Sequence, residues 1–152
     1  MERIASFQVN HNKLRPGLYL SRIDGSAVTF DLRFKTPNTG DLLTNAEMHS
    51  VEHIIATLLR NSPEKDAVIY FGPMGCQTGF YFVFDGSRLT NAQAVALLQE
   101  VFAAGAEWQG EIPGKSADEC GNYRNLDAGL ARAQCAFYAG LIRDWTEERL
   151  AY

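Results

Sequence analysis

The sequence predicts an α+β fold, a single domain with a largely antiparallel β-sheet packed against helices. Two strand pairs and three helical patterns carry the prediction. Residues 17–24 read as a strand that turns at Asp24-Gly25-Ser26 into a hairpin partner at 27–35, and strands at 66–71 and 80–84 flank a glycine-rich loop. Apolar residues recur at helical spacing over about 45–60, 91–104 and 125–149. A chain of 152 residues is long enough for one real core and short for two.

Residues 1–16 lack strong periodicity, and Ser6 and His11 read there as exposed or capping polar groups. In 27–35, Val28, Phe30, Leu32 and Phe34 form one face and Thr29, Asp31, Arg33 and Lys35 the other. A mid-strand arginine belongs on a solvated face unless that face lines a pocket. Pro37-Asn38-Thr39-Gly40 closes the first half of the chain.

Thr44-Asn45-Ala46-Glu47 fits a capping box, in which the Thr hydroxyl and Glu carboxylate satisfy free backbone N–H groups at a helix start. Val51, Ile54, Ile55, Leu58 and Leu59 supply the apolar stripe that follows. Between the strands at 66–71 and 80–84, the run Gly72-Pro73-Met74-Gly75-Cys76-Gln77-Thr78-Gly79 lets the backbone bend sharply around one cysteine. Thr90-Asn91-Ala92-Gln93 opens a second capped helix running to about Gly105, which is suited to the C′ position. A loop at 106–122 carries Cys120. The last helix repeats Leu126, Leu130, Ala133, Phe137, Leu141 and Trp145.

Hydrophobic residues make up 46% and charged residues 21%, as in ordinary soluble domains. A net charge of −4 without a Lys/Arg block argues against nucleic acid as a partner. Neither an apolar leader nor a membrane-length run is present, so a cytoplasmic protein without membrane attachment is expected. Three cysteines in such a compartment read as thiols or metal ligands rather than a disulfide framework.

Chemistry centres on His49-Ser50-Val51-Glu52-His53. On a helix His49 and His53 lie about 40° apart and Glu52 about 60° to the other side of His49, away from the apolar stripe. Two imidazoles on one face are half of a tetrahedral metal shell, and an open catalytic site needs a third protein ligand. Cys76, Cys120, Cys135, His11 and a carboxylate such as Glu119 are available. Cys135, between Ala133 and Phe137 in the last helix, reads as a packing residue. Two possibilities stand for the loop cysteines. Both close a structural zinc site, or one binds the metal and the other stays free as acid/base or nucleophile.

His49-Ser50-Val51-Glu52-His53, the loop from Gly72 through Tyr81, and Glu119-Cys120-Gly121 together resemble the S-ribosylhomocysteine lyase family, the LuxS-type enzymes of bacterial autoinducer synthesis. Ser6-Phe7, Asn10-His11-Asn12, Phe30-Asp31-Leu32-Arg33-Phe34 and Pro37-Asn38 extend the similarity over nearly the whole chain. The His-x-x-Glu-His spacing alone is shared with inverted zinc peptidases, in which Glu52 would activate water and Glu119 could complete the shell. The Pro-Met-Gly-Cys-Gln-Thr-Gly run is far more specific.

The resemblance implies that His49, His53 and Cys120 bind one divalent metal per subunit, ferrous iron with zinc or cobalt as substitutes. It implies Cys76 and Glu52 as general acid/base residues, and Arg33, Ser6 and His11 as substrate-positioning groups. It also implies a homodimer with active sites at the interface and S-ribosyl-L-homocysteine as substrate. Homocysteine and 4,5-dihydroxy-2,3-pentanedione, the autoinducer-2 precursor, would be the products. Tyr70 and Asn10 stand where the family often has Asp, so no auxiliary carboxylate is expected at either position.

Overall fold

The computed structural model describes residues 1–152 apart from the side chains of Ala5 and Ser6, so the role expected for Ser6 lies outside the described residues. After a single helical turn, α1 (Ala5–Gln8), come β1 (Gly17–Asp24), β2 (Ala27–Arg33) and α2 (Asn45–Arg60). The chain continues with β3 (Val68–Pro73), β4 (Gly79–Asp85), α3 (Asn91–Ala106) and α4 (Ala128–Ile142). The four strands form one antiparallel sheet in the order β1-β2-β4-β3, which is the sheet type expected.

Register explains the core face. Val28, Phe30 and Leu32 of β2 lie opposite Phe84, Phe82 and Phe80 of β4. All six are buried. Val51, Ile54, Ile55 and Leu59 of α2, Leu98 and Phe102 of α3, and Ala131, Tyr138 and Ile142 of α4 cover that face as one continuous cluster. Each buried Val, Leu, Ile or Phe side chain of this cluster contributes about 1.5–3 kcal/mol by leaving water. Tyr138 stacks on Phe34 at 4.2 Å between ring centroids, and its hydroxyl donates to the Gly17 carbonyl at 2.9 Å. This ties α4 to β1.

Both capping boxes form as the sequence requires, at Thr44/Glu47 and Thr90/Gln93. Several boundaries differ from expectation. The last helix covers Ala128–Ile142 rather than 125–149. The Asp127 carboxylate caps its start by accepting from the Leu130 N–H at 2.9 Å. At its end, the Gln99 amide of α3 donates to the carbonyls of Ile142, Arg143 and Trp145 at 2.8–3.1 Å. A side chain from a neighbouring helix thus takes the freed carbonyls, and Trp145 keeps its buried place without being helical.

β2 ends at Arg33 instead of Lys35, because Phe34 and Lys35 both donate their N–H groups to the Thr78 carbonyl, at 2.9 and 3.0 Å. Residues 65–67 form a 3₁₀ turn, so β3 begins at Val68. Gly105 is no left-handed C′ residue but a buried position inside α3. A Cβ there would lie 2.8 Å from Cys135 Sγ, so close helix packing is the reason for glycine.

The second face of the sheet departs most from a solvated one. Thr29, Asp31 and Arg33 are all buried. Tyr19 and Tyr81 lie opposite Asp31 on the two neighbouring strands, and the segment after α4 crosses the same face. Among the described residues no helix is long and apolar enough to cross a membrane.

Candidate metal centre and active-site cleft

His49 and His53 sit one turn apart on α2, with ring centroids 4.7 Å apart and planes near perpendicular. The loop after α3 brings Cys120 to them. Its backbone N–H donates to the Ser116 carbonyl at 3.0 Å, and Sγ comes within 3.3 Å of His49 Nε2. One ligand atom from each of the three residues lies within 4.8 Å of the others, and among the described residues this is the one such group.

The other nitrogens of both histidines are held by acceptors from distant segments. His49 Nδ1 lies 2.5 Å from Asn125 Oδ1, and His53 Nδ1 lies 2.7 Å from the Pro113 carbonyl. A carbonyl only accepts, so both Nδ1 atoms donate, which leaves both Nε2 atoms to face the cluster. The Asn125 amide donates in turn to Asn45 Oδ1 at 2.6 Å, which fixes its oxygen toward His49. Gly114, at φ +75°, lets Pro113 approach, since a Cβ there would lie 3.2 Å from the His53 ring. Buried Ser50 accepts the Asp127 N–H at 2.9 Å and so anchors the far end of the Cys120 loop to α2.

Two imidazole nitrogens and one cysteine sulfur at this spacing are a donor set suited to a tetrahedral divalent cation with its fourth position open. Glu52 is half-buried on the same helix, next to His53, and is not one of the three ligating groups. Glu119 accepts the Ser116 hydroxyl at 2.7 Å. Neither it nor Cys76 belongs to the cluster, so within one chain the described residues form neither the peptidase shell nor a closed site with two cysteines.

Cys76 is exposed at the β3–β4 turn. The left-handed residue of that turn is Gln77, at φ 61°, rather than a glycine. Gln77 is held to Leu43 twice, because its backbone carbonyl accepts the Leu43 N–H at 2.9 Å and its side-chain amide donates to the Leu43 carbonyl at 3.1 Å. Gly79 serves close approach, since a Cβ there would collide with the Leu32 carbonyl of β2.

Arg33, buried on β2, donates Nε and Nη2 to the two oxygens of Asp31, at 3.1 and 2.6 Å. Its remaining nitrogen, Nη1, faces Thr78 Oγ1 at 2.6 Å and Cys76 Sγ at 3.8 Å. Burial opposes the charge on Arg33, but Asp31 outweighs it and the guanidinium is held above its ordinary value. Its partners Thr78 and Cys76, rather than Arg33 itself, line a neighbouring cleft. Cys76, Thr78, His11, Asn38 and Leu42 line a cleft of about 390 Å³. His11 is oriented there by its Nδ1, 2.9 Å from the Val9 carbonyl.

Cys135 is buried and its thiol is pushed up to about 12 by burial, as suits a packing residue. Tyr70 is half-exposed near Tyr81 on the sheet, and Asn10 accepts the Asn12 N–H at 3.1 Å, so neither supplies a carboxylate. Sequence reasoning missed Asn125, Pro113 and Tyr152. Asp31 could have been found, since it lies two residues before Arg33 and shares its face.

The family profile of S-ribosylhomocysteinase (LuxS) matches residues 4–148. The chain is 44% identical to the S-ribosylhomocysteine lyase of Finegoldia magna over 156 residues, covering 100% of this chain and 99% of that protein. It is 46% identical to the enzyme of that description from Desulfotalea psychrophila over 158 residues, again covering 100% of this chain and 99% of that one. Identity to the corresponding protein of Borreliella burgdorferi is 39% over 157 residues, at the same coverage.

Proposed function

The chain belongs to the S-ribosylhomocysteinase (LuxS) family, and on that premise we propose that it cleaves S-ribosyl-L-homocysteine to homocysteine and 4,5-dihydroxy-2,3-pentanedione. The observation that carries the reading is the pairing of a His49–His53–Cys120 cluster with a separate, arginine-backed thiol at Cys76.

The substrate sulfur is attached to C5 of a ribose and does not leave an unactivated sugar. It leaves once a ketone stands at C3, because the C4 proton is then acidic and the sulfur lies β to the carbanion formed there. The carbonyl must move from C1 to C2 and then to C3. Each move removes a proton next to a carbonyl and returns one to the neighbouring carbon. A divalent metal held by His49, His53 and Cys120 supplies Lewis-acid polarisation of the carbonyl when bound. Cys76, as thiolate, takes and returns carbon-bound protons. Glu52 moves protons among the oxygens and takes part in the final elimination. Arg33 backs the sulfur, and His11 and Ser6 position the substrate with it.

Ferrous iron is the metal of this reading, with zinc or cobalt able to replace it. Zinc binds N/S sites more tightly than iron, so the purified metal need not be the working one. The family resemblance implies a homodimer with active sites at the interface, in which each site draws on both subunits. Residues 1–152 act in this reading as one domain, located in the cytoplasm.

The test is thiol release from S-ribosylhomocysteine by anaerobically prepared, iron-loaded protein, read with a thiol-reactive dye. Release that disappears in Cys76→Ala supports the assignment. No release from fully metal-loaded protein would overturn it.

A further inference from the structure

We propose that Tyr152 is a positioning residue for Cys76, its hydroxyl steadying Asp31 and through it the Arg33 guanidinium. The chemical role rests on the lyase reading above; the contacts themselves do not. The Tyr152 hydroxyl donates to Asp31 Oδ2 at 2.8 Å, the same oxygen that accepts Arg33 Nη2 at 2.6 Å. Arg33 Nε holds the other oxygen at 3.1 Å. Three donors therefore set the plane of one buried carboxylate, and that plane sets the plane of the guanidinium forked onto it. The nitrogen left over, Nη1, is the one that points at Thr78 Oγ1 and Cys76 Sγ.

Packing alone already seats the segment that carries Tyr152. Leu150 is buried, and its carbonyl accepts the Leu20 N–H of β1 at 2.8 Å. The Tyr152 ring stacks on Tyr19 at 5.1 Å with planes 19° apart. A phenylalanine would keep those contacts. The hydroxyl adds a donor aimed at a carboxylate that Arg33 already pairs in both its oxygens, which is a demand of orientation rather than of neutralisation. Burial, and next the Asp31 charge, hold the Tyr152 phenol well above its ordinary value, so the donor keeps its proton across the neutral range.

Tyr152→Phe removes the donor and leaves the ring. Tyr19→Phe is the control, because the Tyr19 hydroxyl donates to the Arg15 carbonyl at 3.0 Å and not to Asp31. Metal-loaded protein is treated with iodoacetamide at neutral pH, the Cys76 peptide is followed by mass spectrometry, and kcat, KM and Tm are measured in parallel. In Tyr152→Phe, Cys76 alkylation and kcat should each fall about three- to tenfold, with KM and Tm close to those of the unaltered protein. Tyr19→Phe should alkylate at the original rate. Unchanged alkylation, unchanged kcat in an active enzyme, or an equal loss in Tyr19→Phe would overturn the proposal. Should the unaltered protein release no thiol from S-ribosylhomocysteine, the lyase reading fails while alkylation still decides the role of Tyr152.

Discussion

Asn125 reaches back across the fold to His49, its side-chain oxygen 2.5 Å from the ring Nδ1. Asn45, at the start of the same helix as His49, takes the Asn125 amide at 2.6 Å, so the asparagine cannot turn its nitrogen toward the ring without losing that bond. Outer contacts of this kind usually change metal affinity by about 10- to 100-fold. Asn125→Ala is expected to weaken metal binding by about that factor in competition with a chelator, while the helix content stays the same.

The division between ligand and acid/base thiol gives a second expectation. Cys120→Ala should strip metal and activity together, because it removes one of three ligands. Cys76→Ala should leave metal content near normal and abolish thiol release, because Cys76 faces Arg33 and Thr78 and is not one of the cluster. Metal analysis beside the dye assay separates the two.

Gly105 tests packing against propensity. Alanine is favoured over glycine in a helix interior by about 1 kcal/mol. The added Cβ would stand 2.8 Å from Cys135 Sγ and 3.2 Å from Ile55 Cδ1, and overpacking a tight core costs about 1–3 kcal/mol. Gly105→Ala should therefore be neutral to destabilising, by up to about 2 kcal/mol in urea unfolding. Adding Cys135→Ala, which removes the obstructing sulfur, should recover part of any loss.

Alkaline pH should unfold the protein early. Burial, the largest cause, and then the Asp31 charge hold the phenols of Tyr19, Tyr81, Tyr138 and Tyr152 above the ordinary value of 10.0. Unfolded tyrosines lose their protons near that value while the folded ones keep them, so rising pH favours the unfolded chain. The stabilisation is complete below pH 10.0 and is lost progressively above it. Tm should drop through that range, and tyrosinate absorbance should rise together with unfolding. Tyr152→Phe should blunt the drop.

Local chemistry made much of this molecule readable in advance. Thr44 with Glu47 and Thr90 with Gln93 announce helix starts by hydrogen bonds spanning three residues, and both form. Alternation along residues 27–35 put Val28, Phe30, Leu32 and Phe34 on one face, and all four are buried. The same alternation put Asp31 and Arg33 on the second face but could not tell that the face is covered. The cover comes from Tyr19, Tyr81 and Tyr152, of which Tyr152 lies 121 residues from Asp31. Likewise the end of α4 depends on Gln99, 43 residues from Ile142, so periodicity alone carried the helix too far.

By itself, the sequence determined the α+β class, the capped helix that puts His49 and His53 on one face, the loop cysteines and the family. Those depend on periodicity, short-range hydrogen bonding and residue type, all of which are local to the chain. The resemblance implied that Cys120 rather than Cys76 joins the two histidines, but tertiary structure alone decided that Asn125 and Pro113 set the imidazole protons and that Tyr152 steadies Asp31. Each of those rests on one well-aimed hydrogen bond or ligand atom from a distant segment. Such a contact leaves no periodic trace, because a single polar atom placed by folding needs only the right residue at one position.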